Sequence, residues 1–186
     1  RRNHALLVTL YNSGARVSEV TTLKQGQVRF AEHTCVQLVG KGRKERTIPL
    51  WADTARLLRG WFQELGEDAA HMAFPIARGT PLSRDGVDYL LKQTVQRAVV
   101  ACPSLATKAI SPHVIRHTTA MHLLQAGVDM ATIALWLGHE SIDTTHMYLQ
   151  ANLAMKEKAL EKLEPIEGAW QRFHADDPLL AFLAAL

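Results

Sequence analysis

Cysteine is scarce in this chain: Cys35 and Cys102 are the only two among 186 residues. They stand far apart in apolar or strand-like surroundings, which excludes a disulfide framework and a Cys-x-x-Cys metal pair and leaves a reducing cytoplasm as the expected compartment. No apolar run approaches the roughly 20 residues that a membrane-crossing helix requires, so no membrane role is expected. The first residues, Arg1-Arg2-Asn3-His4, contain neither an initiating methionine nor a signal peptide, and the expectation is a fragment of something longer. Internal repeats, low-complexity stretches and grouped carboxylates are missing too. Without grouped acids there is no cage for the divalent cations of a two-metal nuclease. His113 and His117 have i, i+4 spacing but lack the glutamate of His-Glu-x-x-His, and Arg116 beside them repels a cation, so no metal site is expected.

What is present is enough apolar material, 47% of residues, for one domain or one domain with a small appendage. The formal charge of +3 conceals an asymmetry: positions 1–50 hold nine basic and three acidic residues, and the remainder holds twelve against fifteen. A basic N-terminal half suits a polyanion, although a charge run is usually only a solvated face.

Hydrophobic periodicity and punctuation predict a mainly helical α+β chain. Residues 3–12 read as a helix stopped at Ser13-Gly14, and 16–23 resume it with Arg16 at the start. Three β-prone pieces follow near 27–30, 34–39 and 45–49. The last two bracket Gly40-Lys41-Gly42-Arg43-Lys44, a hairpin tip by its glycines, which gives a small three-stranded antiparallel sheet. Residues 51–65 are helical, 66–81 loop-like with a short strand at 72–76, and Ser83 caps a helix towards position 100. Ser111-Pro112 reads as an N-cap followed by proline at the first helical position, in a helix that ends at Gly127. Asp129 caps a shorter helix ending at Gly138, and Ser141 caps the next, which carries Tyr148. Residues 152–163 form a charged amphipathic helix, and 179–186 a short, almost wholly apolar one.

The stretch Leu137-Gly138-His139, with Tyr148 nine residues on and His113-Val114-Ile115-Arg116 upstream, pairs a phenol with phosphate-binding cations. A tyrosine hydroxyl is a poor nucleophile at neutral pH unless nearby positive charge stabilises the phenolate and the attacked phosphate. Arg16 and Arg116 each fall in the opening turn of an expected helix, where the dipole already favours an anion, and two guanidinium forks can clamp one phosphate. His113 shares a helix side with Arg116, or else serves as a capping histidine. His117 and His122 read as packing or supporting residues. Lys41 sits at the tip of GKGRKER, placed to act as a general acid on a departing sugar oxygen if the hairpin folds over a reacting phosphate. Lys44 is the competing candidate, and the turn could equally bind DNA phosphates without chemistry through Arg43 and Lys44. His139 is a donor to the same phosphate, and Thr144 and Thr145 shape the start of the helix carrying Tyr148. Tyr148 itself has the alternative of a core aromatic.

In their order and spacing, GARVSEV around Arg16, GKGRKERTIPL around Lys41, SPHVIRHTTAMHLLQAG around His113 and Arg116, and LGHESIDTTHMY ending in Tyr148 resemble the catalytic domain of the tyrosine recombinases, the phage integrase family. The resemblance covers residues 3 to about 163. It implies an integrase-type catalytic domain over 1–164, with 165–186 as a tail bearing an apolar docking helix, and it implies that the family's N-terminal core-binding domain is missing from this chain. It also implies that Tyr148 attacks a DNA phosphodiester, forming a 3′-phosphotyrosine and releasing a 5′-hydroxyl. Arg16 and Arg116 would stabilise the charge on phosphorus, Lys41 would protonate the leaving oxygen, His113 would take or relay the tyrosine proton, and His139 would bond a nonbridging oxygen. Glu19 matches a supporting acidic position. Because the phosphoryl bond is retained, no cofactor is needed. The implied partners are double-stranded DNA and further copies of the chain, as a tetramer held through the apolar tail helix, which has the alternative of covering its own core. The family often carries an aromatic where Thr119 stands, and the tail looks more like that of transposon-associated integrases.

Two other readings compete with this one. A DNA-binding regulator without chemistry fits the helix-turn-helix-like spacing of 126–147 but leaves Tyr148 unexplained. A type IB topoisomerase relative would share nucleophile and cations and relax DNA instead of exchanging strands.

Overall fold

A computed structural model describes residues 1–139, the side chain of Lys41 excepted. Tyr148, Thr144, Thr145 and the helices expected beyond position 140 lie outside the described residues, as does the whole tail.

The chain opens with helix α1 (Arg2–Ser13), which buries Ala5, Leu6 and Leu10. Its buried hydroxyls are satisfied one turn back, Thr9 Oγ1 donating to the Ala5 carbonyl at 2.7 Å and Ser13 Oγ to that of Thr9 at 2.6 Å. Gly14 ends the helix in the left-handed region at φ 58°. A Cβ there would lie 2.6 Å from Leu137 Cδ2 and 3.3 Å from Thr119 Cγ2, so the end of α1 meets two later helices over a bare Cα.

Helix α2 (Val17–Thr21) is shorter than the expected 16–23. The following backbone is drawn away by a later segment: Ala73 donates to the Leu23 carbonyl at 2.7 Å, Gln25 to that of His71 at 2.9 Å and Gly26 to that of Ala69 at 3.1 Å.

The sheet is β1 (Val28–Arg29), β2 (Cys35–Val39) and β3 (Glu45–Pro49), antiparallel in that order, with β1 shorter than expected. Val36 faces Ile48 and Leu38 faces Arg46. Cross-strand partners share a face, and since Val36, Leu38 and Ile48 are buried, the register turns Arg46 inward with them.

Helix α3 (Ala52–Leu65) buries Thr54, Ala55, Leu58 and Phe62, a stripe at helical spacing. Asn12 on α1 clamps the β3–α3 junction, donating to the Pro49 carbonyl at 3.2 Å and accepting from the Trp51 N–H at 2.9 Å. The strand expected at 72–76 is replaced by single bridges, Lys24 with Met72 and Pro75 with Pro81, because the prolines carry no N–H for a ladder. That segment still anchors the core through Phe74, which is fully buried. Burying a side chain of this size contributes about 2–3 kcal/mol before entropy is counted.

Three capped helices complete the described part: α4 (Arg84–Ala98), α5 (Pro112–Gln125) and α6 (Met130–Leu137). Ser83, Ser111 and Asp129 accept from the backbone N–H of Gly86, Val114 and Thr132 respectively, as their positions in the sequence predict. Helix α1 packs on α3 and α5, and α6 packs on α5 and β3.

Candidate active site

The site is organised by the last carbonyls of a short helix. At the end of α6, Gly138 is left-handed at φ 66°, with its N–H bonded to the Leu135 carbonyl at 3.2 Å and that of His139 to the Ala134 carbonyl at 3.0 Å, a Schellman turn. The final carbonyls of a helix lack intrahelical donors and carry the negative end of its dipole. Here three consecutive ones each take a different arginine. The Trp136 carbonyl accepts from Arg46 Nε at 2.9 Å, that of Leu137 from Arg116 Nη2 at 2.7 Å, and that of Gly138 from Arg16 Nη2 at 3.2 Å.

Arg116 is buried, and its Nη1 also donates to the Gly14 carbonyl at 2.6 Å, so it joins the ends of α1 and α6. The expectation had placed Arg116 in the opening turn of its helix. It is instead the fifth residue of α5, and its guanidinium reaches across to other helices' C-terminal carbonyls. Arg16 precedes α2 as its N-cap and is exposed, with Nη1 3.3 Å from Glu19 Oε1.

Glu19 is almost fully buried and reaches back to accept the Arg16 backbone N–H at 2.7 Å. Arg46 grips it with both terminal nitrogens, Nη1 to Oε1 at 2.8 Å and Nη2 to Oε2 at 2.7 Å. Burial on its own would raise the Glu19 carboxyl, but the hydrogen bond from Arg46, that from the Arg16 backbone and both guanidinium charges hold it below the ordinary carboxylate value. Gly40, at the base of the hairpin, lies against the same carboxylate: a Cβ there would be 3.2 Å from Glu19 Oε1. The hairpin tip that carries Lys41, a turn over Lys41–Arg43 closed by Gly40 N–H to the Lys44 carbonyl at 2.8 Å, therefore springs from beside this ion cluster.

Arg16, His113, Arg116 and His139 line one cleft of about 620 Å³ together with Val17 and Ser18 of α2, Arg84, Asp85 and Asp88 of α4, and Ser111. His139 is half-buried. Burial first, and then the charges of Arg116, Arg16, His117 and Arg46, push its pKa down to about 4, so it is a neutral imidazole at neutral pH. His113 lies on the rim, with its Nε2 2.6 Å from that of His117. Arg43 and Lys44 are exposed and do not line the cleft. Among the described residues no group of three or more histidine, cysteine or carboxylate side chains could hold a metal, and no helix is long and apolar enough to cross a membrane.

Arg46 and the rim residues Arg84, Asp85 and Asp88 were not singled out in the sequence. Arg46 carries a signal in retrospect, since it sits two positions from the inward Ile48 in a strand and must meet a carboxylate there. Arg84 carries none.

This mainly helical α+β domain gathers Arg16, Arg116 and the neutral His139 around one open cleft. Residues 1–155 match the phage integrase family, and the chain belongs to it. It is 49% identical over 186 residues to y4rC of Sinorhizobium fredii, a protein carrying an integrase/recombinase name, covering 100% of this chain and 56% of that protein. It is 37% identical over 152 residues to the tyrosine recombinase XerD of Ralstonia nicotianae, covering 79% of this chain and 47% of the relative. The chain thus spans about half the length of the curated relatives it matches. Among solved structures, the XerH site-specific recombinase in a post-cleavage complex with a palindromic difH substrate superposes with a TM-score of 0.73 at 23% identity, over 87% of this chain and 45% of that one. The fold is that of an integrase catalytic domain, with the expected three-stranded antiparallel sheet.

Proposed function

We propose that this chain is the catalytic domain, residues 1–164, of a site-specific DNA recombinase of a mobile element, acting in the cytoplasm and cutting and rejoining DNA through Tyr148. The observation that carries the reading is the set of three arginines held on three successive carbonyls beside His139, two of them lining the cleft. Guanidinium groups fixed in advance stabilise charge that develops on phosphorus without reorganising at the moment of reaction. In the proposed step His113 accepts the phenolic proton and the Tyr148 oxygen bonds to phosphorus. The 5′ oxygen leaves with a proton from Lys41. Arg16 and Arg116 hold the nonbridging oxygens, and neutral His139 donates a hydrogen bond to one of them. The 3′-phosphotyrosine keeps the phosphoryl bond energy, so a second 5′-hydroxyl reverses the attack without cofactor or metal. Arg43 and Lys44, exposed on the hairpin, meet neighbouring DNA phosphates. The tail, residues 165–186, joins copies of the chain into a tetramer through its apolar segment.

The test is trapping on a suicide substrate. Full-length protein is incubated with nicked duplexes carrying a randomised sequence around the nick, and covalent adducts are isolated and sequenced. An adduct lost in Tyr148→Phe is expected. DNA binding with no adduct from the unaltered protein would overturn the reading in favour of a regulator.

A further inference from the structure

We propose that His117 is a positioning residue that fixes the tautomer of His113 as a proton acceptor towards the cleft, an inference that rests on the strand-cleaving reading above.

The two rings stand one helical turn apart on α5. Their Nε2 atoms are 2.6 Å from each other, and the ring centroids are 4.1 Å apart with planes at 87°. At that separation one Nε2 carries a hydrogen and the other offers a lone pair, because two lone pairs or two N–H groups would repel. A neutral imidazole has one donor and one acceptor nitrogen, so fixing one fixes the other. If His113 donates from Nε2, its Nδ1 is a lone pair. It then serves as a base. If His117 donates instead, His113 Nδ1 carries a hydrogen and cannot accept the phenolic proton. The partner's protonation pattern thus decides which chemistry His113 can perform.

The strand-cleaving step requires the first arrangement. His117 is held below the ordinary histidine value by burial and then by the charges of His113 and Arg116, which keeps it a neutral acceptor. Charged and titratable groups share the cleft with His113: Arg16 before α2, Arg84, Asp85 and Asp88 from α4, Arg116 on the same helix, and the neutral His139 after α6. The arginines disfavour a second imidazolium, and the two aspartates of α4 line the cleft together with His113, whereas His117 does not line it. When Tyr148 gives up its proton, that proton rests on His113 Nδ1. The existing Nε2–H then becomes a charge-assisted donor to His117 Nε2, which strengthens as the charge forms. The same i, i+4 spacing that resembles a metal-binding pair serves here as a hydrogen-bonded dyad with a single mobile proton.

Two measurements on the full-length protein test this. The first is nitrogen-15 imidazole NMR at neutral pH, which needs no activity: His113 protonated on Nε2 and His117 on Nδ1 is expected, and the reverse pattern overturns the proposal even if the enzyme is active. The second is single-turnover adduct formation on a trapped substrate across pH. His117→Ala is expected to slow it by about 10–100-fold, by analogy with losing the outer hydrogen-bond partner of a metal-ligating histidine, with DNA affinity unchanged. The acidic limb should move to lower pH, because His113 has lost an acceptor for its charged form. His117→Gln, whose side-chain oxygen reaches the place of the histidine Nε2, should restore most of the rate and return the limb. A wild-type rate in the alanine variant, or a glutamine variant as slow as alanine, sinks the idea. An inactive wild-type protein that shows the expected tautomers refutes the strand-cleaving reading and leaves the dyad's geometry standing.

Discussion

Arg46 and Glu19 form a two-point ion pair, 2.8 and 2.7 Å, between strand β3 and helix α2, and the same guanidinium donates to α6 at the Trp136 carbonyl. One side chain thereby ties the hairpin, the turn that presents Arg16 and the helix end that presents His139. Only 11% of the Arg46 side chain and 2% of that of Glu19 is exposed, so the pair is largely hidden from solvent screening.

Removing one partner leaves a buried charge uncompensated. Arg46→Ala is expected to destabilise the domain by about 3–5 kcal/mol, while a paired apolar replacement of both residues costs much less. Denaturant unfolding of the two single variants and the double variant measures the coupling. Near-additive effects would show that the pair is not a unit.

The carboxylate also predicts how stability depends on acidity. The folded-state pKa of Glu19 is depressed below its unfolded value, so its contribution is fully present above that unfolded value, near 4.5, and is lost as pH falls through the lower folded one. Unfolding free energy followed downward from pH 6 should show this loss in the native protein. The Glu19→Gln variant should lack it.

His139 produces a second loss at milder acidity. Its folded pKa of about 4 lies below the ordinary 6.5, so the unfolded chain binds the extra proton first and stability falls as pH drops from 6.5 towards 4. Replacement by asparagine should flatten that interval. An oxyanion bound in the cleft offsets the neighbouring arginine charges and should raise the His139 value, which imidazole NMR with inorganic phosphate can detect.

Gly138→Ala should damage both stability and the site. Its backbone is left-handed, and the new Cβ would lie 2.9 Å from Arg46 Nη1. The backbone conformation alone costs about 1–2 kcal/mol. Displacing Arg46 loosens Glu19 and, through it, Arg16. Reduced unfolding free energy together with slower adduct formation is expected, and an unaltered rate would count against the helix end as organiser of the site.

Arg16→Lys and Arg116→Lys keep the charge and lose the fork. Each guanidinium already divides its donors between anchoring carbonyls and the cleft, a task that an ammonium on a flexible stem does not reproduce. Single-turnover adduct formation should fall by roughly a hundredfold or more, with DNA binding largely kept.

Much of this was readable from the chain. Each cap residue works through a local geometry that involves only its own helix, so Ser83, Ser111 and Asp129 mark helix starts, and Gly14, Gly127 and Gly138 mark ends, without tertiary context. The hairpin at Gly40 to Lys44 is equally local. The expected strand at 72–76 and the long second helix were not, because their backbone partners are distant in sequence and sit on residues 23–26. Arg46 was passed over for a related reason: strand alternation turns it inward, but its three acceptors come from α2 and α6.

The sequence by itself determined the helix caps, the hairpin and the residue types available for phosphate chemistry, since these depend on short-range spacing, and the order of its motifs carried the family. Tertiary structure decided that Arg116 is held by the ends of α1 and α6, that Arg46 and Glu19 lock the hairpin to the cleft, and that His139 is neutral. Those outcomes depend on burial and on carbonyls brought together from far along the chain, and no local pattern encodes such a meeting.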